Sequence, residues 1–139
     1  MKVILVSCSK QKQPGRHPAY LLYNSTWFNL ARAYADANRD CAWFILSAKY
    51  HLLKPETAIE AYDQTLHQMS QTQRLAWAEK VRDELLGAVA IWNQIEVLAG
   101  RLYRDPLVKL LKAAGYEVSE PLAGLGIGQQ QQWLKENTK

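Results

Sequence analysis

The stretch Val3-Ile-Leu-Val-Ser-Cys-Ser-Lys-Gln-Lys12 decides the fold of this 139-residue chain. Four apolar residues end abruptly at small hydroxyl and thiol side chains, and two lysines follow. This pattern is typical of a buried strand that delivers a polar loop to one edge of a sheet. In open α/β folds, ligands sit just beyond the carboxyl ends of the strands. Serine hydroxyls, backbone amides and the two lysines at this edge therefore predict a site for an anion such as phosphate.

Further along the chain, apolar runs and helix signals alternate. Apolar runs predict strands at residues 2–7, 41–47, 95–99 and 116–119, and helical spacing or helix-start residues predict helices at 19–37, 71–92, 106–114 and 128–137. Continuous apolar runs suit strands that are covered on both faces, and strands that alternate with helices imply right-handed crossovers and a parallel sheet. We predict an α/β fold, a three-layer α/β/α sandwich with about four parallel strands, as one domain over residues 1–139.

Several local signals refine these elements. The first helix is predicted to break near Asn24, with Ser25 as the N-cap of its main part, and Ser70 is predicted to form a capping box with Gln73. The buried stripe of the long helix is predicted to comprise Leu75, Ala78, Val81, Leu85 and Leu86. Residues 48–69 are predicted to be irregular, and so long a connection in a compact domain is usually functional.

Composition narrows the classes of protein. Hydrophobic residues make up 48% of the chain, which indicates a globular protein. No apolar run approaches the ~20 residues of a membrane span, and the first residues fall short of a signal-peptide core, so we expect no membrane partner and a cytoplasmic location. The net charge of +4 permits nucleic-acid binding without requiring it. Two cysteines and three histidines show no disulfide or metal-site spacing, so no metal or cofactor is predicted.

The ends of the predicted strands carry the candidate site residues. These are Ser7, Cys8, Ser9 and Lys10 after the first strand, Ser47, Lys49 and Tyr50 after the second, Arg101 and Tyr103 after the third, and Gly126 and Gly128 after the fourth. Because the carboxyl ends of parallel strands share one edge, we expect these residues to converge. Lys49 could hold a phosphate or an anionic leaving group, or it could be an ordinary surface lysine.

The remaining candidates also allow two interpretations each. Asp63, beside Tyr62, could orient a water or stabilise positive charge on a sugar, or it could close a turn. A tyrosine such as Tyr23 could stack on a nucleobase for roughly 1–3 kcal/mol, or it could be partly buried with a wetted hydroxyl. Cys8 is either a reactive thiol beside Lys10 or a small residue that fills a tight turn. The glycines before the last helix could cradle a phosphate or allow close packing.

These motifs together resemble a family of small bacterial and phage domains of largely unassigned function. The shared pattern is SCSKxK, then A-x-x-LY-x-S-x-x-F-x-x-x-R-x-Y-A, then W-x-ILSAKYGLL-x-P-x-x-x-I-x-x-YDxxL, then PLxGxGIGxQxxWL. The matching residues here include Ser7 to Lys12, Leu22-Tyr23, Ser25, Trp43, Ile45 to Tyr50, Tyr62-Asp63, Pro121-Leu122, Gly124, Gly126 to Gly128 and Trp133-Leu134. One departure is His51, where the family usually has glycine; a site that needs positive φ would make histidine costly.

The family is similar to the uracil-DNA-glycosylase-like superfamily and looks related to the peroxide stress protein YaaA and to a domain of archaeosine-synthesis enzymes. The resemblance implies a four-stranded parallel sheet with a site at its carboxyl edge, and the handling of nucleobases. Some relatives look like phage-defence glycosylases that excise modified bases from DNA. The first strand here carries no water-activating aspartate, so Asp63 would have to supply that carboxylate from another loop.

The first functional hypothesis is a hydrolase that cleaves an N-glycosidic bond in nucleic acid, with DNA carrying a modified base as the favoured substrate. Asp63 and Lys49 are its predicted catalytic residues. The predicted substrate-binding residues are Ser7, Cys8, Ser9, Lys10, Lys12, Tyr23, Ser25, Ser47, Tyr50, Tyr62, Arg101, Tyr103, Gly126 and Gly128. The alternatives are a non-catalytic module that binds nucleic acid or nucleotide, and a hydrolase or transferase on free nucleotide or nucleoside. The sequence makes no prediction of oligomeric state.

Overall fold

The computed structural model describes residues 1–138. Its strands are β1 (Lys2–Ser7), β2 (Arg16–Pro18), β3 (Ala42–Ser47), β4 (His51–Leu53), β5 (Ala58–Glu60), β6 (Gln94–Leu98) and β7 (Glu117–Ser119). Its helices are α1 (Ala19–Leu22), α2 (Thr26–Ala37), α3 (Gln71–Ala88), α4 (Arg101–Ala113) and α5 (Ile127–Asn137), with a 3₁₀ turn at Leu66–Gln68. No helix among the described residues is long and apolar enough to cross a membrane.

The central sheet is mostly parallel and has the strand order β4-β3-β1-β6-β7. Strand β1 pairs in parallel with β3 and β6, and β7 pairs in parallel with β6. These contacts confirm the predicted α/β class, and the sheet, which was predicted to be parallel, is mostly parallel. The edge strand β4 is antiparallel to β3, so the sheet has one strand more than the sequence predicted.

The connection over residues 48–69 was predicted to be irregular, and this is wrong. It contains β4, β5 and the 3₁₀ turn, and β5 pairs with β2 in a separate two-stranded antiparallel sheet. Each of these strands has three residues. A period of two residues cannot be recognised over so short a run, because the pattern needs about four to eight residues to be visible.

The alternation of β1 side chains divides the core into two clusters. Val3 and Leu5 belong to a cluster with residues of α3 and α4, whereas Ile4 and Val6 belong to a cluster with residues of α2 and α5. Successive side chains of a strand point to opposite faces of the sheet. Both faces of β1 are therefore covered by helices, which explains why its sequence is apolar throughout rather than alternating.

The predicted break in the first helix is confirmed. Helix α1 ends at Leu22, and the Ser25 hydroxyl accepts a hydrogen bond of 3.0 Å from the Phe28 amide at the start of α2. The capping box of α3 is also confirmed, since the Gln73 amide donates to Ser70 Oγ at 3.1 Å and Gln73 Oε1 accepts from the Ser70 amide at 2.8 Å. Both helices begin where a side chain satisfies an amide that the helix leaves free.

Helix α3 differs from the prediction in where it ends and in which of its residues face the core. Helix α3 ends at Ala88, and Trp92, which was predicted to lie within it, is 82% exposed. Leu75 and Leu86 are exposed, while Trp77 is buried, so the stripe facing the core is rotated from the predicted one. The stripe consists of Trp77, Ala78, Val81 and Leu85.

Helix α4 begins at Arg101 and not at Pro106. The amides of Tyr103 and Arg104 donate to the Gly100 carbonyl, at 3.1 and 3.0 Å, so the first turn is formed before the proline. Pro106 lies inside the helix, where it lacks an amide for the Leu102 carbonyl. The predicted stop is confirmed, because Gly115 has a φ of +110° just after the helix.

Candidate functional site

Three hydroxyl groups meet beyond the carboxyl end of β3 and form what we call the hydroxyl cluster, made of Tyr23, Ser47 and Tyr62. The Tyr62 hydroxyl contacts that of Tyr23 and lies 2.7 Å from Ser47 Oγ. Ser47 Oγ also accepts hydrogen bonds from the amides of Lys49 and Tyr50, at 3.2 and 2.9 Å. The last residue of β3 therefore fixes both the β3–β4 turn and the two phenols.

The phenols of this cluster are neutral hydrogen-bonding groups. Burial is the main cause that raises the pKa of Tyr23 and of Tyr62, and the neighbouring Cys8 raises both further. Charged phenolates are disfavoured where water cannot solvate them. The cluster thus offers hydroxyl groups, and no negative charge, to whatever lies against it.

Cys8 and Tyr103 form the adjoining part of the edge. Cys8 Sγ lies 3.2 Å from the Tyr103 hydroxyl, and the Cys8 amide donates to the Leu46 carbonyl at 2.9 Å. Burial raises the pKa of Tyr103 above its usual value, as for the other two phenols. Trp77 connects this pair to the hydroxyl cluster, because its ring meets Tyr103 edge-on at 5.4 Å and its indole N–H donates to the Ser47 carbonyl at 2.9 Å.

Two lysines approach the rings of the hydroxyl cluster and its neighbour Tyr50. Lys12 Nζ lies 4.4 Å from the centre of the Tyr62 ring. Lys49 Nζ lies 5.3 Å from the Tyr50 ring and 5.9 Å from the Tyr62 ring. A cation within about 6 Å of a ring centre is attracted by its face, so Tyr62 is the aromatic group that both lysines share.

The charge of Lys12 is influenced by opposing effects. Burial lowers its pKa, whereas the nearby Cys8 and Asp63 raise it. Asp63 is exposed and follows Tyr62 directly in the chain. The edge therefore combines two ammonium groups, one carboxylate and several neutral hydroxyls around one aromatic ring.

The structure brings together eight of the predicted site residues, which are Cys8, Lys12, Tyr23, Ser47, Lys49, Tyr50, Tyr62 and Tyr103. Asp63 follows Tyr62 directly in the chain, and its charge raises the pKa of Lys12. The convergence expected from the strand ends is thus visible for β1, β3 and the start of α4.

Other predicted residues are placed in different surroundings. Ser25 caps α2, and Arg101 is exposed and pairs with Asp105 at 3.3 Å. Ser9 donates to the Gln11 carbonyl, and Lys10 is exposed. Ser7 is buried, and Gly126 and Gly128 lie at the start of α5. Within residues 1–138, none of these side chains makes a hydrogen bond or ion pair with the hydroxyl cluster.

Two cavities adjoin the β3–β4 turn. The amide cavity, of about 480 Å³, lies against Ala48, Gln64, Gln68, Gln73 and Trp77. The lysine cavity, of about 440 Å³, lies against Lys49 and Tyr50 together with Arg16 and Glu60, a cross-strand pair of β2 and β5. The turn that carries Lys49 therefore has space for a ligand beside it.

Sequence reasoning missed Trp77, Gln64, Arg16 and Glu60. Trp77 has helical spacing like any core residue, and a lone glutamine carries no signal. Arg16 and Glu60 are brought together only by the pairing of β2 with β5, which the sequence did not reveal. Among residues 1–138, no three His, Cys, Asp or Glu side chains are grouped so that they could hold a metal ion.

His51, at the first position of β4, has a φ of +65°. This position therefore has the positive φ that makes histidine energetically costly. Burial lowers the pKa of His51, and the charge of Lys80 lowers it further, while Glu84 raises it. The imidazole also lines the amide cavity, so this strained residue borders the site.

Comparison with known proteins gives one positive result. A family model described as a family of unknown function, DUF6884, matches residues 3–136. Neither the comparison with curated proteins nor the comparison with solved structures gives a match.

Proposed function

The chain belongs to the DUF6884 family, whose function is unknown, and we propose from its site that it is a DNA-glycosylase-like hydrolase that cleaves the N-glycosidic bond of a modified base in nucleic acid. The observation that carries this proposal is the Tyr62 ring, which both Lys12 and Lys49 approach within 6 Å and which Asp63 follows. An aromatic surface suits a base, ammonium groups suit phosphate and a leaving base, and a carboxylate suits a sugar that becomes positive.

The proposed reaction uses these groups in fixed roles. The target base is flipped out of the helix and stacks in the lysine cavity beside Tyr50, whose ring meets that of Tyr62 edge-on at 5.7 Å. As the bond between C1′ and the base nitrogen breaks, Lys49 gives a proton to the departing base. Asp63 stabilises the oxocarbenium-like sugar, and water adds its oxygen to C1′ and loses a proton to Asp63. Lys12, Lys10 and Arg101 bind phosphates.

The fold supports a matching proposal about ancestry. A mostly parallel sheet with helices in contact with both faces of β1 is compatible with a three-layer arrangement. We propose that this arrangement is that of the uracil-DNA-glycosylase-like superfamily and that the link to YaaA follows from it. Fold alone does not assign an activity, so the functional proposal depends on the site residues.

An abasic-site assay tests the proposed reaction. The purified protein is incubated with unmodified DNA and with DNAs that carry modified bases, and released base and alkali-labile breaks are measured. We expect breaks in one modified DNA, a loss of at least about 100-fold in rate for Asp63→Asn, and a smaller loss for Lys49→Gln. Asp40→Asn is the matched control, since Asp40 is an exposed aspartate just before β3 that lines neither cavity. Full activity in both Asp63→Asn and Lys49→Gln would refute the mechanism.

A non-catalytic binding module is the second candidate. The observation in its favour is that Asp63 is exposed and makes no hydrogen bond within residues 1–138, so no neighbour there orients its carboxylate. Salt-sensitive DNA binding without released base on any substrate would support this candidate. Activity on free nucleosides alone, with no DNA binding, would instead support a hydrolase or transferase of free nucleotides.

A further inference from the structure

The amide cavity is built differently from the lysine cavity. Its apolar lining includes Ala48, Met69 and Trp77, and its polar lining is dominated by three carboxamides, those of Gln64, Gln68 and Gln73. A largely apolar pocket with a few placed polar groups is the usual form of a small-molecule site. Since no carboxylate lines it and neutral amides outnumber the cation Lys80, the lining suits a neutral polar ring better than a simple ion.

Each of the three carboxamides makes one hydrogen bond to the backbone. Gln68 Oε1 accepts from the Thr65 amide at 3.2 Å, and Gln73 Oε1 accepts from the Ser70 amide at 2.8 Å. Their amino groups have no hydrogen-bond partner within residues 1–138 and can donate to a ligand. Gln64 Nε2 donates to the Ala48 carbonyl at 3.4 Å, which leaves its oxygen able to accept. The lining therefore offers donors from Gln68 and Gln73 and an acceptor from Gln64, and the edge of a nucleobase presents both kinds of group.

The amide cavity is connected to the hydroxyl cluster both by residues adjacent in the chain and by a hydrogen bond. Gln64 follows Asp63, and Ala48 follows Ser47. Trp77 lines the cavity and donates to the Ser47 carbonyl. If the sugar of the target nucleotide lies at Asp63, a nucleotide in the amide cavity would therefore be the one next to the target.

We propose that the amide cavity is a subsite for the nucleobase next to the target, so that the substrate is a polynucleotide rather than a free nucleoside. This inference rests on the proposed function, because it takes the target nucleotide to bind at Tyr62 and Asp63. Lys80, at the same cavity, binds the phosphate of the neighbouring nucleotide.

Binding of paired oligonucleotides tests the subsite. Each pair is identical except that the nucleotide on the 5′ or the 3′ side of the target is abasic in one member. Dissociation constants are measured by fluorescence anisotropy for the wild type and for Ala76→Leu, which fills the cavity from an exposed helix position. Ala88→Leu, at the exposed end of the same helix and outside the cavity, is the matched control.

We expect removal of one flanking base to weaken wild-type and Ala88→Leu binding about tenfold, and Ala76→Leu binding less than about twofold. Ala76→Met is a second filling variant should the leucine disturb folding, which circular dichroism will show. Equal losses in all variants, or no loss in any, would overturn the subsite. Lys12→Gln separates the two proposals: if it weakens binding of every probe while the flanking base has no effect, the site at Tyr62 stands and the subsite fails. If no oligonucleotide binds the wild type, both proposals fail.

Discussion

His51 occupies a left-handed backbone conformation, with a φ of +65°. Residues other than glycine rarely adopt this conformation. Such a residue costs on the order of 1–3 kcal/mol and persists where the surrounding structure holds it. Here the β3–β4 pairing supplies that constraint, since His51 is paired with Ser47. The strain is thus located in the turn that presents Lys49.

Substitutions at His51 should reveal this strain in the free energy of unfolding. We expect His51→Gly to be at least as stable as the wild type, because glycine adopts positive φ without steric cost. His51→Val should be about 1–2 kcal/mol less stable than His51→Gly, since a β-branched residue is least tolerated there. Urea denaturation measures both values. A valine variant as stable as the glycine variant would contradict the assignment of strain.

At the level of single residues, the sequence indicated most of the central site but not its surroundings. Cys8 and Lys12 were predicted because they lie in the polar loop that follows an apolar run, and Tyr62 because it stands in the shared motif. Trp77 was not recognised, because its role depends on an N–H bond to the Ser47 carbonyl, and nothing in a helical pattern distinguishes such a tryptophan from a core residue.

At the scale of elements, the start of α2 provides a prediction about Ser25, which was proposed from sequence as a substrate-binding residue. Its hydroxyl accepts from the Phe28 amide, so Ser25→Ala should lower the free energy of unfolding by about 1 kcal/mol. Ser25→Asp should restore most of it, because aspartate is also a good N-cap and its charge suits a helix N-terminus. Thermal or urea unfolding measures both.

Oligonucleotide binding by the same variants separates the two roles of Ser25. If Ser25 only caps α2, both variants should bind with wild-type affinity once folded. Stable Ser25→Asp protein that no longer binds would show that the hydroxyl contacts the ligand. Stability unchanged in Ser25→Ala would contradict the capping role.

The elements themselves were predicted from sequence where they are long and periodic. Strands β1, β3 and β6 and the start of α3 were found, because four or more apolar residues or a capping box mark them. The three-residue strands β2, β4 and β5 were missed, since their formation depends on pairing partners distant in the chain. The start of α4 was placed five residues late because Pro106 was taken as a helix start, whereas the helix continues through it.

For the whole molecule, the sequence predicted the shared edge of the sheet but not the shape of the space beside it. Parallel strands bring their carboxyl ends together whatever their loops contain, so the convergence of Cys8, Ser47 and Tyr103 follows from topology. The two cavities depend on the path of residues 54–69 and on the pairing of β2 with β5, neither of which leaves a local signal. This is why Arg16 and Glu60 were not among the expected site residues.

The concentration of buried phenols leads to a prediction about alkaline pH. Five tyrosines have a raised pKa, with burial as the first cause in each case: Tyr23, Tyr34, Tyr62, Tyr103 and Tyr116. Above the usual tyrosine pKa of about 10, the unfolded chain loses these protons while the folded chain keeps them. The folded state then binds more protons, so stability must fall as the pH rises, by up to about 1.4 kcal/mol per pH unit for each such tyrosine until the pH reaches its folded-state pKa.

Lys12 acts in the opposite sense, because its lowered pKa makes the unfolded chain the better proton binder below about pH 10.5. One lysine cannot offset five phenols, so the net prediction above pH 10 is a steep loss of stability.

Urea unfolding at a series of pH values from 8 to about 11.5 measures the slope of stability against pH. Tyr62→Phe should reduce it by about 1.4 kcal/mol per pH unit. Ser25→Ala, which is destabilised without loss of a titrating group, should keep the full slope. An identical slope in Tyr62→Phe and Ser25→Ala would contradict the neutral, buried state of the Tyr62 hydroxyl.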